Sequence, residues 1–135
     1  MSVARAAEQS FLAFDFGVRR VGVATGSLLL RQPQPLKSIA AEGDARFAAI
    51  AALIAEWQPD ALVVGVPFHP DGAEHDNTHR ARRFARQLHG RFRLPVHEVD
   101  ERYTTTEARA AGAADLDAAS AALILEQFFR GIPSP

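Results

Sequence analysis

Three acidic side chains in this sequence stand where a fold would deliver them to one point. Asp15 closes the apolar run Phe11-Leu12-Ala13-Phe14 and precedes Phe16-Gly17. Glu101 lies in Asp100-Glu101-Arg102-Tyr103-Thr104-Thr105, just after a second strand-like run, and Asp117 opens Asp117-Ala118-Ala119-Ser120. Carboxylates at strand ends and at a helix start can meet above a parallel sheet. Oxygen ligands of this kind suit Mg²⁺, which keeps several waters and needs neither His nor Cys. Two divalent ions about 3.5–4 Å apart activate a water and relieve charge on a leaving oxygen, which is the chemistry of phosphodiester hydrolysis.

Each acid also has a plainer reading. Asp15 can accept backbone hydrogen bonds at a turn, although a carboxylate directly after four apolar residues needs a partner if it is buried. Asp117 is a residue type preferred at a helix N-cap, where the helix dipole favours it without any metal. Glu101 can pair with its neighbour Arg102, an interaction worth little on a surface. Asp100 would point to the opposite side of a continuing strand, so it ranks behind Glu101.

The elements that must carry these residues follow from periodicity. Leu12 to Phe16 and Val21 to Thr25 read as strands joined by the turn Gly17-Val18-Arg19-Arg20, a hairpin, with Leu36 to Ile39 as a third strand beyond Pro33 and Pro35. Asp44 is expected to cap a helix in which Phe47, Ile50, Leu53, Ile54 and Trp57 recur at helical spacing, ended by Pro59-Asp60. Ala61 to Val66 is an apolar run of the kind buried on both sheet faces. After a polar loop to Asn77, Thr78 to His89 carries Ala81, Phe84, Ala85 and Leu88 on one stripe of a helix. Leu94 to Val99 is the next strand, Thr104 and Glu107 form a capping box for a short Ala-rich helix, and Asp117 to Phe129 is a last helix, apolar almost all round. The order predicts an α/β fold with a mixed five-stranded sheet flanked by helices. Residues 1–10 are expected to be a disordered extension, 11–130 a single domain and 131–135 a tail.

Composition narrows the class. The chain has 135 residues, 47% hydrophobic and 23% charged, which suits one soluble domain. Without cysteine it has no disulfide or thiolate metal site, and this usage is compatible with a cytoplasmic protein. Residues 1–10 lack the apolar core of a signal peptide, and no apolar run approaches the roughly 20 residues of a membrane span. The net charge of −1 hides an uneven distribution. Arg80, Arg82, Arg83, Arg86, Arg91 and Arg93 fall in the acid-free interval between Asp76 and Glu98. That cluster reads either as a footprint for a phosphate backbone or as a solvated helix face. Arg19 and Arg20 lie in the turn after Asp15, and Arg102 beside Glu101, where they can contact phosphates. Gly17 and Gly22 suit a tight hairpin and close backbone approach. Gly65 and Pro67 end a strand at the edge of the expected site. His69, His75 and His79 do not have a zinc-site spacing.

Five motifs in order carry a resemblance. They are Phe14-Asp15-Phe16-Gly17-Val18-Arg19-Arg20-Val21-Gly22-Val23-Ala24, Trp57-Gln58-Pro59-Asp60, Val64-Gly65-Val66-Pro67 with Asp71-Gly72, Asp100-Glu101-Arg102-Tyr103-Thr104-Thr105 with Glu107-Ala108-Arg109, and Leu116-Asp117-Ala118-Ala119-Ser120-Ala121. Together they resemble the bacterial YqgF/RuvX family, described as pre-16S rRNA nucleases and as Holliday-junction-resolvase-like. The resemblance implies a ribonuclease H-like fold and a cytoplasmic nuclease of ribosome biogenesis that processes the 5′ end of the small-subunit rRNA precursor. It carries the family's acidic residues onto Asp15, Glu101 and Asp117, with Mg²⁺ or Mn²⁺ as cofactor. On this reading Asp15 bridges two ions, Glu101 and Asp117 each complete one coordination sphere, and Arg19, Arg20, Arg80, Arg83 and Arg102 face nucleic acid. Only the seven residues Ala110 to Leu116 separate Arg109 from Asp117, where relatives often carry a longer glycine- and lysine-containing loop.

Other functions fit parts of the same sequence. A Holliday-junction-type DNA resolvase would use the same acids, commonly as a symmetric homodimer. A non-catalytic module holding structured RNA would use the arginines alone. An actin-like ATPase or sugar kinase shares the leading Asp and Gly but needs a duplicated domain, which this length does not supply. The partner expected is nucleic acid, rRNA precursor before structured DNA, and not a membrane.

Overall fold

In the computed structural model of the chain, residues 8–103 and 112–133 are described. Among the described residues the strands are β1 (Ser10–Phe16), β2 (Val21–Ser27), β3 (Gln34–Ile39), β4 (Ala61–Val66) and β5 (Val96–Asp100). The α-helices among them are α1 (Gly43–Trp57), α2 (Asp76–Phe92) and α3 (Leu116–Arg130), and a 3₁₀ turn spans Glu101–Tyr103. The five strands form one sheet in the order β3-β2-β1-β4-β5. β1, β2 and β3 are an antiparallel meander, whereas β4 runs parallel to β1 and β5 parallel to β4. This is the mixed sheet expected from the order of elements. The capping box at Thr104 and the Ala-rich helix after it lie outside the described residues.

Strand alternation sorts the core into two layers. Leu12 and Phe14 of β1, Val21 and Val23 of β2, and Leu62 and Val64 of β4 face Phe47, Ile50 and Leu53 of α1 and Phe84 and Leu88 of α2. Phe11, Ala13, Ala61, Val63 and Val99 face the other way, onto Ile124, Leu125 and Phe129 of α3. α1 and α2 therefore cover one face of the sheet, and α3 covers the other. Phe11 meets Phe129 edge-on, with ring centroids 5.6 Å apart.

Several local expectations are refined. Asp44 does not cap α1. Gly43, at φ 59°, turns the chain into the helix first, Glu42 occupies the cap position without a side-chain bond, and Asp44 falls in the first turn. There its charge still complements the helix dipole. Trp57, the last residue of α1, is 39% exposed and not a core residue; it lines an open cleft with Ser10, Thr25 and Gln34. α3 buries one stripe, Ala118, Ala121, Ile124, Leu125 and Phe129, while Ala122 and Leu123 are half-buried.

Three contacts fix the sheet ends, two of them at the end that matters for function. Arg46 is buried, and its guanidinium donates to the Ala41 carbonyl at 2.7 Å and the Val18 carbonyl at 2.9 Å, pinning the β1–β2 turn to α1. Burial pulls its pKa down, partly offset by the charge of Glu42. Gly17 tightens the same turn, since a Cβ there would lie 2.6 Å from the Arg20 carbonyl oxygen. At the opposite end, the Asp60 carboxylate accepts from the Gln9 and Ser10 amides at 2.8 and 2.9 Å, tying the start of β1 to β4.

Candidate active site

β1 carries Phe11 and Ala13 toward α3, so the alternation directs Asp15 to the same face. Asp15 is paired across the hairpin with Gly22, whose missing side chain would point the same way. A Cβ on Gly22 would collide with the Asp117 carbonyl oxygen and lie 2.9 Å from the Ala118 amide nitrogen. Glycine at position 22 thus lets the first turn of α3 rest on the sheet beside Asp15. Phe14 is paired with Val64, and the parallel register carries Asp15 alongside Gly65. A Cβ on Gly65 would strike the Glu101 carboxylate and would lie 2.5 Å from Ile124 Cδ1. Glu101 therefore reaches in from the end of β5 over Gly65. Two glycines and one helix start bring Asp15, Glu101 and Asp117 to one corner of the α3 face.

Their carboxylates are not drawn into a single cluster there. Among the described residues no three acidic or histidine side chains are grouped closely enough to hold an ion. The Asp117 carboxylate is turned toward β3 and the hairpin turn: Oδ2 lies 3.1 Å from Arg20 Nε and 3.2 Å from Ser38 Oγ. Among the described residues no donor is placed on Asp117 Oδ1. The Arg20 side chain is 64% exposed, so this ion pair contributes at most about 1 kcal/mol.

The plainer reading of Asp117 as helix cap does not hold. Asp115 is the N-cap of α3, with Oδ1 accepting from the Ala118 amide at 3.0 Å. The Ser38 hydroxyl donates to the same Asp115 oxygen at 2.6 Å. That bond, followed by the Ala118 amide, holds the Asp115 carboxyl below the usual carboxylate range. Arg20, Ser38, Ala113, Ala114, Asp115, Leu116 and Asp117 line an open cleft of about 400 Å³.

Asp100 leaves the α3 face, as alternation requires, and binds Arg102. The guanidinium sits on Asp100 Oδ2 at 2.8 Å from Nη2 and 3.0 Å from Nε, and this pairing is the main cause of the depressed Asp100 pKa. Arg102 also lies 5.5 Å from the Phe68 ring centre and against Gly72, where a Cβ would be 2.8 Å from Nη1. Arg19 is exposed in the hairpin turn next to the site. Arg80 and Arg83 are on α2, which packs on the other face of the sheet, and both are exposed. They share the site's end of the sheet, because α2 begins just after β4, but not its face. Arg82 is spent on Glu74 and Glu98, at 2.9 and 3.3 Å. His75 caps α2 by accepting from the Asn77 amide, with its ring 4.7 Å from that of His69.

Ser38, Asp115 and the buried Arg46 are absent from a reading of the sequence for chemistry. Asp115 had a signal, an acid three residues before Ala118 at the start of an apolar helix. A serine on an edge strand had none.

The family comparison matches residues 9–131 to RuvX, described as Holliday junction resolvase. The chain belongs to the RuvX family. A relative from Albidiferax ferrireducens, named "Putative pre-16S rRNA nuclease", is 70% identical over 92% of this chain and 80% of its own. A relative from a Polaromonas species with the same name is 67% identical over 93% and 91%. Among solved structures, Thermus thermophilus RuvC in complex with a Holliday junction superposes with a TM-score of 0.55 at 14% identity, over 91% of this chain and 94% of that one. At that identity the likeness concerns fold alone, and it is the ribonuclease H-like fold expected from the motifs.

Proposed function

We propose that this RuvX-family chain is a divalent-metal-dependent nuclease that trims the 5′ end of the small-subunit rRNA precursor. The observation that carries the reading is the corner formed by Asp15, Glu101 and Asp117, where Gly22 and Gly65 admit α3 and the Glu101 carboxylate. The name shared by relatives at 67–70% identity supports the substrate. The donor set fits Mg²⁺ or Mn²⁺ in kind, being three carboxylates with no sulfur or imidazole among them. Asp15, Glu101 and Asp117 would hold the ions, which supply Lewis acidity and a water of lowered pKa.

The chain's own residues then act as follows. Asp15 is set on a central strand between two glycines, which let the first turn of α3 and the Glu101 carboxylate come in beside it. Arg20 and Ser38 occupy Asp117 Oδ2, and among the described residues no donor stands on Oδ1. Arg19 and Arg20, on the turn beside Asp15, face the phosphates flanking the scissile bond. Arg80 and Arg83 serve a more distant stretch of nucleic acid that wraps round the sheet end. Arg102, neutralised by Asp100, orders the loop at Gly72 and Phe68 more than it contributes charge. None of the described helices is long and apolar enough to cross a membrane. The expected cytoplasmic location and any homodimer belong to this same reading.

The test is cleavage of a 5′-extended small-subunit rRNA precursor and of a four-way DNA junction, with Mg²⁺ or Mn²⁺ and with EDTA. Wild type is expected to cut the RNA, and Asp15→Asn to lose roughly a hundred-fold or more of that rate while staying folded. Cutting of the junction alone would favour the resolvase reading. That reading draws its support from the family description and the RuvC-like fold.

A further inference from the structure

We propose that Ser38 is a positioning residue for Asp117, acting through the cap of α3. This rests on the metal-dependent reading above and assigns a role to a residue outside the acidic trio. Ser38, Gly22 and Asp15 lie in one row across β3, β2 and β1, since Ser38 is paired with Gly22 and Gly22 with Asp15. At the end of that row the Ser38 hydroxyl meets both carboxylates that flank Leu116, Asp115 Oδ1 at 2.6 Å and Asp117 Oδ2 at 3.2 Å.

A hydroxyl has one hydrogen, so it donates to one carboxylate at a time. The shorter bond gives it chiefly to Asp115. Asp115 Oδ1 in turn holds the Ala118 amide, which closes a bridge from the edge strand through the cap to the turn carrying Asp117. The second acceptor, Asp117 Oδ2, is shared with Arg20 Nε, so both donors stand on the same oxygen. Oδ1, which carries no donor among the described residues, is the oxygen presented to an ion. Carboxylates that bind metals are commonly held in this way by outer hydrogen bonds, whose loss costs about 10–100-fold in metal affinity. Ser38 is half-buried on an edge strand and belongs to neither core cluster, so the fold does not depend on it for core packing.

The experiment is Mn²⁺ titration by calorimetry on the full chain, with melting temperature and RNA cleavage measured in parallel. Ser38→Ala is expected to weaken Mn²⁺ binding roughly ten-fold and to lower the cleavage rate in proportion. Ser38→Thr, which keeps the hydroxyl and suits a strand, restores both. Asp115→Ala should reproduce the Ser38→Ala loss, and the double variant should lose little more, because one bridge is broken in each case. If wild type binds Mn²⁺, Asp117→Asn does not, and Ser38→Ala binds as wild type does, the role of Ser38 is overturned and the metal reading stands. A lower melting temperature with unchanged Mn²⁺ affinity overturns that role equally, since it would mark a purely structural contact. If wild type itself binds no Mn²⁺, or Asp117→Asn binds it equally well, both readings fall.

Discussion

Gly22 and Asp117 touch so closely that a single methyl group on the glycine would overlap the Asp117 carbonyl oxygen. The contact is backbone against backbone, between a strand in the sheet and the first turn of α3. It sets the distance between α3 and the strand that carries Asp15, because Gly22 is also the cross-strand partner of Asp15. Ala118 would be crowded too, with its amide nitrogen 2.9 Å from such a methyl.

Gly22→Ala is therefore expected to lift the N-terminus of α3 from the sheet. Overpacking of this kind costs about 1–3 kcal/mol, and here no flexible side chain can give way. Thermal melting should show that loss. RNA cleavage at a temperature where the variant is fully folded should fall much further than the folded fraction does. A melting temperature equal to wild type would mean that α3 does not rest on Gly22 in solution.

How far the site is legible in the sequence follows from these contacts. Asp15 can be seen because an acid ending four apolar residues is costly unless it has a task. Gly22 and Gly65 can be marked as places of close approach, but not what approaches them, since that depends on elements far along the chain. The mixed five-stranded sheet follows from the order of the elements. Asp115 and Asp117 are separated by one residue, and only the geometry of the helix start decides which of them caps. Ser38 is a polar residue on an edge strand with no pattern around it, and its partners lie 77 and 79 residues away. Capping preference points to Asp44, but Gly43 adopts a positive φ and the cap position falls on Glu42, two residues earlier.

Asp60 gives a prediction about pH. Its carboxylate accepts the Gln9 and Ser10 amides, and these bonds hold its pKa below the usual carboxylate range in the folded protein. An unfolded Asp titrates near about 3.9. A carboxyl depressed by folding adds stability that is fully present above the unfolded value. That stability is lost as pH falls through the lower, folded value. Wild type should thus lose stability from about pH 5 downward, through 4 and below, more steeply than Asp60→Asn, which cannot titrate. Urea unfolding at pH 7 and at successively lower pH measures the difference. Parallel curves for the two proteins would remove Asp60 from the acid response and with it the tether between β1 and β4.

Gly65→Ala makes the contrasting case, because what a Cβ would meet there is side chain and not backbone. The Glu101 carboxylate and Ile124 Cδ1 both occupy the space over Gly65. Ile124 is fully buried and can shift only slightly, so the half-buried Glu101 side chain must yield. The fold should survive with a modest loss, about 1 kcal/mol, at the low end for overpacking. The carboxylate, however, should be displaced from the corner it shares with Asp15 and Asp117. Mn²⁺ affinity should then drop roughly ten-fold or more, as when a ligand's support is removed, while the melting temperature moves by a few degrees. Gly22→Ala and Gly65→Ala together separate two requirements of one site, the seat of α3 and the reach of Glu101. If Gly65→Ala bound Mn²⁺ as tightly as wild type, Glu101 would have no part in holding the ion.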